Sequence, residues 1–137
     1  MFFIPFEKKF QEIAGKETRG IIISQDGLDI PRGTYFFLES YCDDRDCDCR
    51  KVMISVIDVK NPKRGPLATI GFGWENAEFY VKWIYDDDLG NELTGSYLDG
   101  LQQTELSVSF LKLWKELVQD RAYVERIKKH YEIWKGQ

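Results

Sequence analysis

Hydrophobic and polar residues alternate along the middle of the chain in the pattern of β-strands. The clearest alternation lies in residues 50–59, RKVMISVIDV, where Val or Ile occupies every second position from Val52 to Val56. Successive side chains of a strand point to opposite faces, so this spacing predicts a strand with one buried face. Residues 34–42 (TYFFLESYC) and 67–74 (LATIGFGW) are rich in aromatic and β-branched residues, which predicts two more strands.

A fourth strand is predicted at residues 78–85, EFYVKWIY, where hydrophobic residues recur at every second position from Phe79 to Trp83. The connections between the four segments are too short for a crossover helix, so about four strands are expected to pair as an antiparallel meander. The triplet Ile21–Ile23 predicts a further short strand-like segment. Residues 86–100 are polar and contain several glycines, which predicts a surface loop.

The last third of the chain changes to the spacing of helices. Apolar side chains recur every three or four residues at Leu106, Phe110, Leu113, Trp114 and Leu117, and again at Tyr123, Val124, Ile127, Tyr131 and Trp134. This spacing predicts two helices with one apolar stripe each, and Asp120 can cap the second. Residues 6–15, FEKKFQEIAG, predict a short N-terminal helix that ends near Gly15. The order of elements indicates an α+β fold in which the sheet packs against the two C-terminal helices and the short N-terminal helix.

The length and composition fit a single domain over residues 1–137. Apolar residues make up 43% of the 137 residues, which suits a hydrophobic core and is too much for a disordered chain. The 19 lysines and arginines are outnumbered by 23 aspartates and glutamates, which gives a formal charge of -4. Nucleic-acid binding needs a basic excess that neutralises phosphates, so nucleic acid is not an expected partner.

Two features of the sequence indicate a cytoplasmic protein. No apolar run approaches the roughly 20 residues that a membrane-spanning helix needs, so no membrane association is expected. The first ten residues, MFFIPFEKKF, place no basic region before the apolar residues, and Pro5 interrupts them, which argues against a signal peptide. In a reducing compartment the three cysteines are expected to remain thiols.

All three cysteines lie close together, in the arrangement Cys42-x4-Cys47-x-Cys49 between two predicted strands. A loop between antiparallel strands can bring thiolates at this spacing onto one ion, at about 2.3 Å from each sulfur in the case of zinc. The aspartates that surround the cysteines make this segment polar, so three uncoordinated thiols would not bury easily there. The spacing therefore predicts a zinc site with Cys42, Cys47 and Cys49 as ligands.

The fourth ligand of a closed zinc site has to come from elsewhere in the chain, because such a site has four ligands. The chain has one histidine, His130. Ile127 precedes it by three residues and Trp134 follows it by four, which places His130 in the apolar stripe of the last predicted helix, facing the sheet. His130 is therefore predicted as the fourth ligand. The alternative is a partly buried histidine that makes an ordinary hydrogen bond.

Three segments of the sequence, taken together, form a distinctive motif. They are YCDDRDCDCRKV at residues 41–52, GWE at residues 73–75 and AYVERIKKHYEIWK at residues 122–135. With these segments the chain, from Tyr35 to its last residue, resembles a small bacterial protein family to which no activity is assigned. The resemblance implies that Cys42, Cys47, Cys49 and His130 belong to the pattern of that family, and it implies no activity.

No enzyme signature is complete in the sequence. Gly71-Phe72-Gly73 begins a dinucleotide-binding pattern, but Asn76 stands where the third glycine is required. The sequence therefore favours a non-enzymatic domain in which zinc joins the cysteine loop to the C-terminal helix, and in which a sheet face or an acidic loop binds a protein partner. Two alternatives stay open: a metal-dependent enzyme with an open coordination position, and a redox protein that oxidises its thiols reversibly.

Overall fold

The computed structural model describes residues 2–25, 29–86, 88 and 94–137. Its strands are β1 (Phe3–Pro5), β2 (Arg19–Ile23), β3 (Gly33–Cys42), β4 (Lys51–Asp58), β5 (Ala68–Gly73) and β6 (Gly95–Leu98). Its α-helices are α1 (Gln11–Glu17), α2 (Ala77–Ile84), α3 (Ser107–Leu117) and α4 (Arg121–Lys135). The predicted α+β class is confirmed, because these helices accompany a sheet whose described strand pairs are antiparallel.

The sheet is a meander from β3 to β6, and two short strands share the outer edge of β3. β1 pairs with the end of β3, where Phe3 lies opposite Cys42, and β2 pairs with its beginning, where Ile23 lies opposite Gly33. The described residues therefore form six strands rather than about four. Strands as short as β1 and β6, with three and four residues, show no readable alternation and form only by pairing with a longer neighbour.

Residues 77–84 form helix α2, so the prediction of a strand at 78–85 is wrong. The Asn76 side chain accepts a 2.9 Å hydrogen bond from the N–H of Phe79, which caps the first turn of the helix. Tyr85 ends the helix in the left-handed conformation, with φ of 57°. A short, largely hydrophobic segment fits both the period of a strand and that of a helix, and the cap favours the helix.

The predicted surface loop at residues 86–100 contains a strand. β6 pairs with β5 so that Tyr97 lies opposite Gly71. The Tyr97 ring occupies the space above this glycine, and a Cβ atom added at Gly71 would lie 2.3 Å from the ring. Residues 87 and 89–93 of the predicted loop lie outside the described residues.

Helices α3 and α4 cover one face of the sheet and confirm the two predicted C-terminal helices. Phe37 of β3 packs on Phe110 and Trp114 of α3, with ring centroids 6.5 and 5.9 Å apart. The Asp120 side chain caps α4, as predicted, by accepting a 3.0 Å hydrogen bond from the N–H of Ala122. The core therefore lies between the sheet and these two helices. None of the helices in the described ranges is long and apolar enough to cross a bilayer.

The predicted N-terminal helix at residues 6–15 is divided in two. A single 3-10 turn at Phe6–Lys8 is followed by helix α1, which extends to Glu17. The Phe6 ring packs beside α4, with its centroid 4.6 Å from the ring of His130 and 6.3 Å from that of Trp134. We refer to residues 3–17, which comprise β1, the 3-10 turn and α1, as the N-terminal cover.

Candidate metal centre

The connection between β3 and β4 carries the three cysteines, and we refer to residues 42–50 as the cysteine loop. Cys42 is the last residue of β3, and Cys47 and Cys49 precede the first residue of β4. The three residues are buried, with exposed fractions of 0%, 9% and 1% in chain order. Their sulfur atoms all lie within 4.8 Å of one another. The sequence prediction that the three cysteines converge is therefore confirmed.

Aspartates and one left-handed residue fold the cysteine loop. The Asp44 carboxylate accepts a 3.0 Å hydrogen bond from the N–H of Asp46, and the Asp44 carbonyl oxygen accepts one of 3.2 Å from the N–H of Cys47. Arg50 follows with φ of 49°, and its guanidinium pairs with Asp48 at 2.9 Å. The left-handed conformation of Arg50 changes the direction of the chain between the loop and β4.

Helix α4 binds the cysteine loop through side chains near its end. Trp134 Nε1 donates a 2.8 Å hydrogen bond to the carbonyl oxygen of Cys42. The hydroxyl of Tyr131 donates at 2.8 Å to Oδ1 of Asp48 and accepts at 3.2 Å from the N–H of Arg50. These bonds fix both ends of the loop to the last turns of α4.

Burial opposes ionisation of the thiols. Burial, followed by the charges that Cys49 and Cys42 would carry, raises the pKa of Cys47 to about 12. The pKa of Cys49 is also raised, first by burial and then by the charge of Cys42. A metal cation would offset the cost of forming thiolates here, since thiols lose their protons when they coordinate a metal. The donor set therefore fits a thiolate-binding metal ion better than a reactive free thiolate.

A buried cation lies close to the cysteine loop. Lys51 is 7% exposed, and its Nζ atom lies 4.8 Å from the centre of the Tyr97 ring. Burial lowers the pKa of Lys51, while the charges of Cys49, Asp99 and Cys47 act in the opposite direction. A divalent ion bound by three thiolates carries one net negative charge, which an ammonium group at this position would balance.

His130 has other partners in the structure. Its Nδ1 atom lies 2.7 Å from Oε1 of Glu39, and its Nε2 atom lies 2.8 Å from Oε1 of Glu17. The side chain is 1% exposed and faces the sheet, as its position in the helix predicts. It does not belong to the group of ligand atoms that converges at the cysteine loop. The structure thus brings together three of the four predicted ligands and places His130 between two carboxylates.

No protein-family model, curated protein or solved structure matches the chain. The chemistry of the centre is therefore inferred from its own residues. These are three buried sulfurs, a buried lysine beside them and a helix that is hydrogen-bonded to the loop.

The two glutamates that bind His130 were missed by sequence reasoning. Glu39 follows Tyr35 and Phe37 at every second position of β3, so it lies on the same buried face of the strand as these two residues. A carboxylate at a buried position needs a partner, and this signal could have linked Glu39 to the chain's one histidine. Glu17 lies at the end of α1 and is 42% exposed, so no comparable signal marks it.

Proposed function

We propose that this chain is a zinc-binding protein in which the zinc ion has a structural role. The observation that supports the proposal is the convergence of three buried sulfurs within 4.8 Å. Zinc binds thiolates at about 2.3 Å in a tetrahedral arrangement, and its charge offsets the cost of ionising buried thiols. Cys42, Cys47 and Cys49 would bind one ion, and the fourth position would take water or another ligand.

The bonds around the cysteine loop support a structural role. The loop connects two central strands, Phe3 of β1 lies opposite Cys42, and Trp134 of α4 binds the Cys42 carbonyl oxygen. An ion that fixes the three sulfurs would therefore fix the N-terminal strand and the C-terminal helix relative to the sheet. The centre of the sheet has its own hydrophobic core and would depend less on the ion.

Elemental analysis of untagged protein, purified without chelator, tests the proposal. We expect about one zinc ion per chain, and a loss of bound zinc in Cys42→Ser, Cys47→Ser and Cys49→Ser. Asp46→Asn is the matched control, because Asp46 lies in the same loop, is exposed and contributes its backbone N–H to the turn. A metal-free protein with three titratable thiols would contradict the proposal.

A metal-dependent enzyme is the second candidate, and the position of His130 favours it. Catalytic zinc sites keep three protein ligands and one open position, which is the set that the three cysteines provide. Cys42 also lines a cavity of about 60 Å³, together with Lys9, Asp44 and Lys135, and a cavity of this size can hold water.

Cobalt substitution distinguishes the two candidates. The visible spectrum of cobalt depends on its ligands, so a small anion such as azide will change the spectrum if the fourth position is open to solvent. An unchanged spectrum would support the structural role and contradict the catalytic one.

A redox role for the thiols fits the structure less well. Redox-sensing cysteines are accessible to solvent and ionise readily. In this chain Cys42 and Cys49 are 0% and 1% exposed, and burial raises the pKa of Cys49.

A protein-binding role and a cytoplasmic location stay predictions for this chain. The sheet face opposite α3 and α4 presents Ile22 and Phe36, which are 75% and 41% exposed and lie on the neighbouring strands β2 and β3. This apolar surface is the part of the sheet face on which we expect a protein partner.

A further inference from the structure

The chain's one histidine joins a buried carboxylate to an exposed one. Glu39, on β3, is 5% exposed in its side chain, whereas Glu17, at the end of α1, is 42% exposed. The imidazole of His130 lies between them, with its two nitrogens 2.7 Å from Glu39 and 2.8 Å from Glu17. The histidine on α4 therefore connects the sheet to the N-terminal cover.

The geometry fits the protonated form of His130. A neutral imidazole has one N–H group, whereas the imidazolium has two, and here each nitrogen faces a carboxylate oxygen at hydrogen-bond distance. Burial lowers the pKa of His130, but the hydrogen bonds and negative charges of Glu39 and Glu17 outweigh it, and the pKa lies above its ordinary value of 6.5. If His130 lost this proton, one ring nitrogen would present a lone pair, rather than an N–H group, to a carboxylate oxygen, and that hydrogen bond would be lost.

The titratable and charged groups around the ring and its two carboxylate partners belong to four elements. They are Glu39 and Tyr41 on β3, Glu7 on the 3-10 turn, Glu17 on α1, and Arg126 and Lys129 on α4. The Tyr41 hydroxyl donates a hydrogen bond to Glu39, which keeps that carboxylate in place. The hydrogen bond from His130 lowers the pKa of Glu17, and the charges of Arg126 and Lys129 lower it further, so Glu17 is ionised at neutral pH.

Among the described residues, the bond between His130 and Glu17 is one of two polar bonds that join α1 to α4, and strand β2 begins two residues after α1. Arg126 donates a 3.2 Å hydrogen bond to the carbonyl oxygen of Glu17, and Phe6 stacks on the His130 ring. Beside α1 lies a surface depression of about 260 Å³ that is open to solvent and is lined by residues that include Ala14, Thr18, Phe36 and Leu38.

The two carboxylates differ in how they can respond to loss of the proton. Glu39 is buried, with 5% of its side chain exposed, so little water can replace the bond to the ring, and the remaining N–H of a neutral His130 would stay with Glu39. Glu17 is exposed, and water can replace its bond to the ring. Deprotonation therefore weakens the contact with α1 and leaves the contact with the sheet.

We propose that Glu17, His130 and Glu39 form a pH switch, which holds the end of α1 on the sheet while His130 is protonated and releases it when the proton is lost. A group whose pKa is raised by folding stabilises the closed form below its ordinary value of 6.5 and loses this effect as the pH rises through the raised pKa. On the acid side, the contribution of Glu17 is lost as the pH falls through its lowered pKa. The N-terminal cover is therefore held most tightly at pH values between the lowered pKa of Glu17 and the raised pKa of His130.

Nuclear magnetic resonance of the full chain, labelled at the imidazole Cε1 atom, tests the switch directly, because one histidine gives one signal. We expect a midpoint above 6.5 for this signal. Hydrogen exchange of the α1 amides, corrected for its intrinsic pH dependence, should show protection that falls through the same midpoint. Each unit by which the pKa differs between the closed and open forms corresponds to a fall of up to about tenfold. Amides at the centre of β4 should keep their protection.

Two matched variants on α1 distinguish an effect of the His130–Glu17 pair from a general loss of stability in α1. Glu17→Gln removes the charge that faces His130, so the midpoint should move down and the protection of α1 should lose its pH dependence. Glu12→Gln is the control, because Glu12 lies on the same helix, is exposed and pairs with Lys16. It should preserve both the midpoint and the pH dependence.

Three results would overturn the inference. One is a His130 midpoint at or below 6.5. The second is α1 protection that stays constant while His130 titrates, and the third is identical behaviour of Glu17→Gln and Glu12→Gln. The titration is recorded with and without a chelator, and the switch predicts the same linkage in both, since none of its three groups is a proposed metal ligand.

Discussion

The indole nitrogen of Trp134 donates a 2.8 Å hydrogen bond to the carbonyl oxygen of Cys42, across 92 positions of the sequence. Trp134 is 3% exposed, so water does not compete for this bond. The bond attaches the end of the C-terminal helix to the strand residue that carries the first candidate ligand. The geometry of the cysteine loop and the position of the helix are therefore coupled.

Trp134→Phe removes this donor and keeps an aromatic ring. We expect the free energy of unfolding to fall by about 1–3 kcal/mol, because a buried acceptor loses its closer partner. Urea unfolding measures the change. Trp83→Phe on α2 is the control, since Trp83 contacts Tyr80 and lies on another element. Equal losses in the two variants would show that the bond to Cys42 contributes nothing.

Metal removal should loosen the chain locally. We expect a chelator to increase amide exchange in the cysteine loop and in the last turn of α4, because the loop is hydrogen-bonded to Trp134 and Tyr131. Amides near Ile54 and Ile70, whose side chains are fully buried in the sheet, should change little. Exchange measured with and without chelator checks this expectation. Uniform loss of protection would mean that the whole fold requires the ion.

His130→Gln should lower stability without removing zinc. Glu39 is 5% exposed in its side chain, and loss of the imidazolium would leave its charge without a cation, at a cost of about 3–5 kcal/mol. Zinc content should stay near one ion per chain, because His130 is bound to Glu39 and Glu17. Urea unfolding and elemental analysis measure the two effects.

X-ray absorption of the zinc-loaded wild-type protein checks the same point without a mutation. The spectrum counts sulfur and nitrogen ligands, and we expect sulfur ligation with no imidazole. A clear imidazole contribution, or a folded His130→Gln variant without zinc, would restore the four-ligand site predicted from the sequence.

Gly71→Ala should weaken the attachment of β6. An added Cβ atom would lie 2.3 Å from the Tyr97 ring, so the ring must move, at a cost of about 1–3 kcal/mol. Gly15→Ala on α1 is the matched control, because no atom lies within 4 Å of its added Cβ. It should stabilise the protein by about 0.5–1 kcal/mol through helix propensity. Similar effects of the two substitutions on urea unfolding would contradict the close packing at Gly71.

The sequence predicted those parts of the fold that have a local pattern. The alternation in β4 and the apolar stripes of α3 and α4 extend over enough residues to identify the elements. The segment that forms α2 is too short for its period to be unambiguous, and the cap at Asn76 was not recognised. β6 exists because it pairs with β5, which the composition of a polar segment does not reveal.

The same holds for the candidate site: contacts between residues close in the sequence were predicted, and contacts between distant residues were not. Cys42, Cys47 and Cys49 are close in sequence, so one loop suffices to bring their sulfurs together. Helical spacing predicted that His130 points inward, but not which group it meets there. Its partners Glu39 and Glu17 are 91 and 113 positions away, and their proximity depends on the packing of α4 and the N-terminal cover on the sheet.

Both ends of the described chain lie beside the cysteine loop. The backbone N–H of Phe2 donates a 3.2 Å hydrogen bond to Asp43, and Gln137 lines the same cavity as Cys42. A polyhistidine tag fused to either end would therefore begin beside the cysteine loop, and its imidazoles could reach an ion bound there and complete its coordination. Metal affinity measured on such a fusion would include a contribution from the imidazoles of the tag. An affinity tag without imidazole or thiol groups would leave only the residues of the chain as ligands.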